Sequence, residues 1–221
     1  MAAAVKHSLP ADGRAERWRE HRENRRAGYI DAAVRALEEF GPEATMEQIA
    51  AVAGVAKPKL YRYFADRADL VNAVGDRCGR EVAHRLGAVA NPVLSLRATV
   101  AAGLDAFLRF VEENPNTVRF LLNSVGSTNG QNVIIDQGRM IAGLLVPLMN
   151  AGDSPSDAAE PLAHAMIGSI LGATDWWLLQ SPDAQMPRPR LVEHLTTVVV
   201  GAAQGVMAGL DPDCPLISLL A

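Results

Sequence analysis

Residues 57–64 read KPKLYRYF and bring two lysines, one arginine and two tyrosines together. Such groups address phosphate. Lysine offers a point charge, arginine a fork that fits phosphate or a guanine edge, and tyrosine a phenolic donor. The chain as a whole is acidic, with a formal net charge of −4. Its balance is uneven, however: residues 1–67 hold 12 Lys/Arg against 10 Asp/Glu, and residues 68–221 hold 9 against 15. An anionic partner is therefore met by the N-terminal third.

Other chemistry is harder to find. No glycine-rich phosphate loop, G-x-S-x-G or H-E-x-x-H is present. His7, His21, His84, His164 and His194 are scattered without metal-ligand spacing. His164 and Asp175 share a helix side but stand about 16 Å apart by helical rise, too far for a dyad. Cys78 and Cys214 are too few and too isolated for a disulfide framework or a zinc site. The expectation is a protein that is not an enzyme and needs no cofactor or metal. With 49% hydrophobic and 21% charged residues the composition is that of a soluble globular protein. The start, MAAAVKHSLPADGR, lacks a secretory apolar core. The longest uncharged run, 195–210, is too short to span a bilayer. A cytoplasmic setting with no membrane partner is expected.

The elements that carry the cationic cluster are helical. Residues 1–13 show no periodicity and read as a disordered tail. The highly charged stretch 14–26 is helix-compatible, and after it Ile30, Ala33, Val34, Leu37 and Phe40 fall on one face. Gly41-Pro42 stops that helix. Thr45 is a good N-cap for a second helix with Ile49, Val52 and Ala53 as its stripe. Gly54 breaks it, and a third helix covers about 57–64. A fourth opens at Asp66 or Asp69 and runs to about Gly87. Further helices are predicted over 94–114, 116–126, 131–149, 156–180 and 189–209, divided by Pro, Gly, Asn and Ser clusters. The fold class is all-α with about nine helices. The chain is expected to divide into residues 14–68, which carry the cationic cluster, and residues 69–221.

Two short helices joined by a glycine turn, the second bearing cations, match a helix-turn-helix. Ala50 and Ala53 are small enough for a close helix crossing, and Leu60 and Phe64 are predicted to face inward. The second helix then enters a major groove while the first crosses the backbone.

The pattern T-x-x-x-I-A-x-x-A-G-V-x-x-x-x-L-Y-x-x-F, at Thr45, Ile49, Ala50, Ala53, Gly54, Val55, Leu60, Tyr61 and Phe64, continues into ADRADL. It resembles the DNA-binding region of the tetracycline-repressor (TetR) family over residues 25–72. The sequence departs from that family where Ala56 replaces a capping Ser or Thr and where Pro58-Lys59 replaces a small pair. Arg67 takes the place of a lysine that commonly opens the fourth helix. The DNA face is assigned to Thr45, Lys57, Lys59, Tyr61, Arg62, Tyr63 and Arg67, with Arg25 and Arg26 from the charged arm. The arm itself either reaches DNA or is a solvated helix.

The resemblance implies a DNA-binding domain over residues 14–68 and a ligand-binding and dimerisation domain over 69–221, which has to pair and to sense. Gly168 and Gly172 stand four apart, as do Gly201 and Gly205, so side chains are missing along one stripe of each helix. The resemblance implies a homodimer whose last two helices form a four-helix interface, and the glycine stripes suit it. Packing within one subunit is the plain alternative. Candidate ligand-binding residues are Phe107, Phe110, Phe120, Met140, Leu144, Met166, Ile170 and Trp177, with Asn123 and Thr174 as polar groups. With no basic cluster among them, the ligand is expected to be neutral or lipid-like. The resulting expectation is a repressor bound to a palindromic double-stranded operator and released by a small hydrophobic effector. A helical-bundle carrier of a hydrophobic molecule, with no DNA role, is the alternative; burial of Lys59 and Tyr61 against the body would favour it.

Overall fold

Alanines at 32, 33 and 36, together with Leu37, are almost fully buried along one side of the first helix, α1 (Asp12–Phe40). This small-residue face lets α2 (Met46–Val52) and α4 (Arg67–Val89) come close to it, with α3 (Lys57–Leu60) between them in sequence. The computed structural model describes residues 12–89, 93–124 and 159–208. Within these, α5 (Leu96–Glu113), α6 (Pro115–Asn123), α7 (Ala159–Leu178) and α8 (Arg188–Ala208) complete an all-helical chain. The expected helix over 131–149 lies outside the described residues, as do Met140 and Leu144.

Two expectations change. Helix α1 already begins at Asp12, so Asp12 and Gly13, expected in the tail, are helical, and the charged stretch 14–26 extends this helix as its composition allows. Within it Arg19 meets Glu16 at 3.8 Å. The recognition element is regular α-helix only over Lys57–Leu60. Beyond it the chain tightens, with Tyr63 N–H donating to Leu60 O at 2.9 Å and Arg62 N–H to Lys59 O at 3.3 Å. The cause is packing. Phe64 must swing fully into the core, and Asp66 must cap α4, its Oδ1 accepting from Asp69 N–H at 2.8 Å.

The ties between the head, α1–α3, and the body include two that reach α6. Glu38, near the end of α1, caps α6 from outside that helix. Its Oε1 accepts from the Thr117 backbone N–H at 2.8 Å and from the Thr117 hydroxyl at 2.6 Å, and its Oε2 accepts from the Asn116 N–H at 3.3 Å. The residue in the N-cap position, Asn114, turns its amide back to Phe110 O instead. A carboxylate at a helix N-terminus satisfies orphan amides and complements the dipole. Thr117 is wholly buried, so no water replaces these bonds. The second tie is Arg67, whose Nη1 donates to Ala44 O at 2.8 Å while its guanidinium lies 5.2 Å over the Phe120 ring of α6.

In the body, α5 packs along α8 and α4, and α7 lies against α6 and α8. Arg188 at the start of α8 reaches Asp105 at 3.0 Å and also pairs with Glu112, both on α5. Replacing Glu38 with Ala leaves the α6 amides unpaired, and we expect a loss of about 1–3 kcal/mol in urea unfolding, with Glu38→Gln losing less.

Candidate nucleic-acid interface and apolar cavity

Thr45 closes a full capping box. Its Oγ1 accepts from Gln48 N–H at 3.3 Å, and Gln48 Oε1 accepts from Thr45 N–H at 2.8 Å. The other end of α2 is a Schellman turn. Gly54 N–H donates to Ala51 O and Val55 N–H to Ala50 O, both at 3.0 Å, with Gly54 at φ +67°. This backbone favours glycine and sends the chain sharply into α3. At the start of α3, Ala56 makes no side-chain cap, as its methyl dictates, and Pro58 sits in the first turn, where an amide is not missed.

Leu60 and Phe64 are fully buried, anchoring the element from below. Tyr63 is half-buried and meets Tyr29 of α1 edge to face, ring centroids 4.9 Å apart. Lys59, Tyr61 and Arg62 point the other way and are exposed, Tyr61 at 41%. Neither Lys59 nor Arg62 forms an ion pair among the described residues. This is the arrangement a carrier without a DNA role would not need.

The remaining assigned cations are placed differently. Lys57 pairs with Glu47 of α2 and lies 5.8 Å over the Tyr61 ring. The hydrogen bond from Lys57 holds the Glu47 carboxyl below its usual range and raises the lysine in turn. Arg26 donates to Asp69 at 2.8 Å and covers Phe64 at 4.9 Å, so it fastens α1 to α4. Arg67 is the α6 tie already described. Arg25 is exposed on the arm, its Nε donating to His21 Nε2 at 3.0 Å. Between the arm and α3 lies a cleft of about 360 Å³ whose lining includes Trp18, Arg22 and Arg25 together with Lys59 and Arg62. Trp18, His21 and Arg22 were not singled out from sequence, although an i, i+3, i+4, i+7 series through Arg25 was there to read.

A second cavity, about 250 Å³, opens among α4, α5, α7 and α8. Phe107 and Ile170 line it, as expected, beside Val82, Leu86, Leu104, Ile167, Leu171 and Val199. Among the described residues no charged or polar side chain takes part. The other candidates have structural duties. Phe110 lies buried under the Arg85 guanidinium, and Phe120 under that of Arg67. Trp177 is 2% exposed and donates from Nε1 to Met186 O at 2.7 Å, fixing the α7–α8 turn. Thr174 bonds back to Ile170 O at 2.8 Å, Asn123 reaches Glu43 at 3.4 Å, and Met166 is partly buried outside the cavity lining.

Gly168, Gly172 and Gly201 are exposed, and a Cβ at any of them would meet nothing within 4 Å among the described residues. Beside them Trp176, Leu179 and Val198 are exposed at 49%, 62% and 52%. Among the described residues, then, nothing packs against these glycines. Gly205 is within α8, but its surroundings lie outside the description. No cluster of metal-ligating side chains occurs among the described residues, and burial pushes the Cys78 thiol up to about 11, away from thiolate chemistry. No helix among the described residues is long and apolar enough to cross a membrane.

A helix-turn-helix with outward cations, built onto an all-helical body, defines a DNA-binding transcriptional regulator. Comparison with known proteins agrees. The model of bacterial regulatory proteins of the tetR family matches residues 30–74, and that of the tetracyclin repressor-like C-terminal domain matches 85–211. The chain belongs to the TetR family. An uncharacterised HTH-type transcriptional regulator of Mycobacterium tuberculosis is 28% identical over 214 residues, covering 90% of this chain and 86% of that one. A tetR-family transcriptional regulator from Streptomyces coelicolor superposes with TM-score 0.68 at 22% identity, over 90% of this chain and 87% of that chain. The regulator FadR from Bacillus subtilis, solved in complex with stearoyl-CoA, gives TM-score 0.61 at 18% identity, over 80% and 98% of the respective chains.

Substituting Gly54 with Ala forces a left-handed backbone on a residue with a Cβ. We expect a loss of about 1–2 kcal/mol in thermal or urea unfolding, with the helical circular dichroism of the folded state unchanged.

Proposed function

We propose that this TetR-family regulator acts as a homodimeric repressor of a palindromic operator, released when a small apolar molecule occupies the cavity among α4, α5, α7 and α8. The observation that carries the DNA part is the two-sided recognition element, with Leu60 and Phe64 buried beneath exposed Lys59, Tyr61 and Arg62. Lys59 and Tyr61 address phosphate oxygens, while Arg62 reaches a base edge. Lys57, paired with Glu47, contributes less charge than its position suggests.

No described residue covers the face of Gly168, Gly172, Trp176 and Leu179 on α7, with Val198 and Gly201 on α8, and this supports pairing of two copies through these helices. Pairing would give two recognition elements for two half-sites, one helical turn or a multiple apart. The apolar lining that the described residues give the cavity supports an effector that places a hydrocarbon portion there. Its volume is slightly under the usual range for ligand pockets, roughly 300–1,000 Å³, which suits a short apolar molecule or one end of a longer chain. The stearoyl-CoA complex of the FadR relative makes fatty acyl compounds the first class to test.

A route between the sites follows contacts already described. Ile167, Ile170 and Leu171 line the cavity from α7, α7 packs on α6, and α6 is capped by Glu38 of α1. An effector acts only through a difference in affinity between the operator-bound and released arrangements.

The test is selection of duplexes from a random pool by the purified protein, followed by titration at several salt concentrations. A palindromic consensus bound with a steep salt slope is expected, and a pool that enriches nothing would sink the reading. Lys59→Ala should weaken all duplexes alike, whereas Arg62→Ala should relax preference at one position per half-site, a discrimination of about 1–3 kcal/mol. Equal losses on every sequence for both variants would defeat this division. Gly172→Glu should leave the chain helical but monomeric by sedimentation, and should abolish cooperative operator binding. Saturated fatty acids and their CoA esters should raise the melting temperature and release the operator, and Ile170→Trp, which fills the cavity, should suppress both effects.

A further inference from the structure

We propose that the N-terminal extension of α1 is a second DNA-contacting element, and that the cleft between it and the recognition element clamps the phosphodiester backbone flanking the half-site. The inference rests on the reading of the chain as an operator-binding protein and goes beyond the helix-turn-helix. The family model for the DNA-binding region starts at residue 30, so the extension is outside it.

The face of α1 that buries Tyr29, Ala32, Ala33 and Ala36 continues upstream as Trp18, His21, Arg22 and Arg25. Downstream that face covers the core. Upstream it covers no core residue among those described, yet it presents an indole, 72% exposed, and two guanidinium groups towards Lys59, Arg62 and Tyr63. At 3.6 residues per turn these four side chains lie within an arc of about 100°, and Glu16, Glu20 and Glu23 gather on the opposite side. The acids could have neutralised the cleft and do not. No acidic side chain lines it, and Arg22, Lys59 and Arg62 form no ion pair among the described residues. The hydrogen bond Arg25 donates goes to His21 Nε2 and not to an acidic side chain. Four cations facing one another across about 360 Å³ repel unless an anion enters.

The strip continues along α1. Arg25 also borders a neighbouring cleft with Gly28 and Arg35, and the side-chain position of Gly28 is open, so a backbone can approach the helix there. A polyanion of regular spacing fits this row better than a single small anion. Duplex DNA is the polyanion already brought to Lys59 and Arg62. From Trp18 to Arg25 the helix rises about 10 Å, about three base-pair steps. Arg22 and Arg25 would take successive phosphates, with the Trp18 ring against sugar and its N–H donated to a phosphate oxygen.

The experiment uses the full chain and the selected operator, either with long flanks or trimmed to its core. On the flanked duplex, Arg22→Ala/Arg25→Ala should lower the slope of log K against log salt by about 1.8 per half-site, two phosphates at about 0.9 each. Hydroxyl-radical protection should shorten by about three base pairs at each outer end, with base preference in the core unchanged. Arg22→Lys/Arg25→Lys should restore the slope, because phosphate contact needs the charge and not the Arg25–His21 hydrogen bond. Binding should quench an emission component that Trp18→Phe removes. A wild-type slope and footprint in the double alanine variant would overturn the proposal while leaving operator recognition intact. Failure of the wild-type chain to select any duplex would overturn operator recognition and, with it, this inference.

Discussion

The carboxylate of Glu38 holds two parts of the molecule in one register. It sits almost at the end of the helix on which the DNA-binding head is built, and it supplies the N-terminal cap that α6 lacks. Because Thr117 beneath it is fully buried, shifting α1 relative to α6 would strip hydrogen bonds that water cannot replace. Such an interface prefers discrete arrangements over gradual deformation. Arg67 adds a second strut, from Ala44 at the entrance of α2 to the Phe120 ring. Head and body share one continuous hydrophobic core, and these directional polar contacts fix the register in which the two pack.

That construction explains why several conspicuous side chains are not where charge or aromaticity alone would put them. Arg26 and Arg67 each flatten over a phenylalanine and bond to a nearby acceptor, so guanidinium planarity is used for packing. Phe110 and Phe120, covered in this way, belong to the scaffold around the cavity and leave its wall to aliphatic residues and Phe107. The contrast within one dipeptide is sharper. Trp176 is half-exposed on the uncovered face, whereas Trp177 is buried and pins the turn to α8.

Much of this was legible in the sequence. The inward Ile49, Leu60 and Phe64, the capping Thr45 and the turn at Gly54 follow from local spacing and backbone chemistry, and all of them stand where that chemistry puts them. The exposed glycine stripes were also readable, since a missing side chain is a local fact. What could not be read was direction over distance. Arg26 finds Asp69 43 residues away, and Arg67 finds Ala44 23 residues away; composition announces a charge but not its partner. The cavity was half legible for a related reason. Phe107 and Ile170 share the periodicity of ordinary core residues, and the gap between them arises from how four helices meet. The regular part of α3 came out shorter than its propensity suggested because tertiary demands on Tyr63 and Phe64 outweighed it.

Helix α1 runs through 29 residues without a break, from the arm to Glu38 and beyond. Mechanically it is one rod about 43 Å long, gripped about three-quarters of the way along by the alanine face around Ala33. Its short end carries the cap of α6 and its long end carries Trp18, Arg22 and Arg25. A rod so mounted multiplies small angles: a tilt of about 5° about Ala33 moves the Asp12 end by roughly 3 Å and Glu38 by less than about 1 Å. The same stiffness that lets two sites share one helix makes the far end of that helix the place where any rotation of the head is largest.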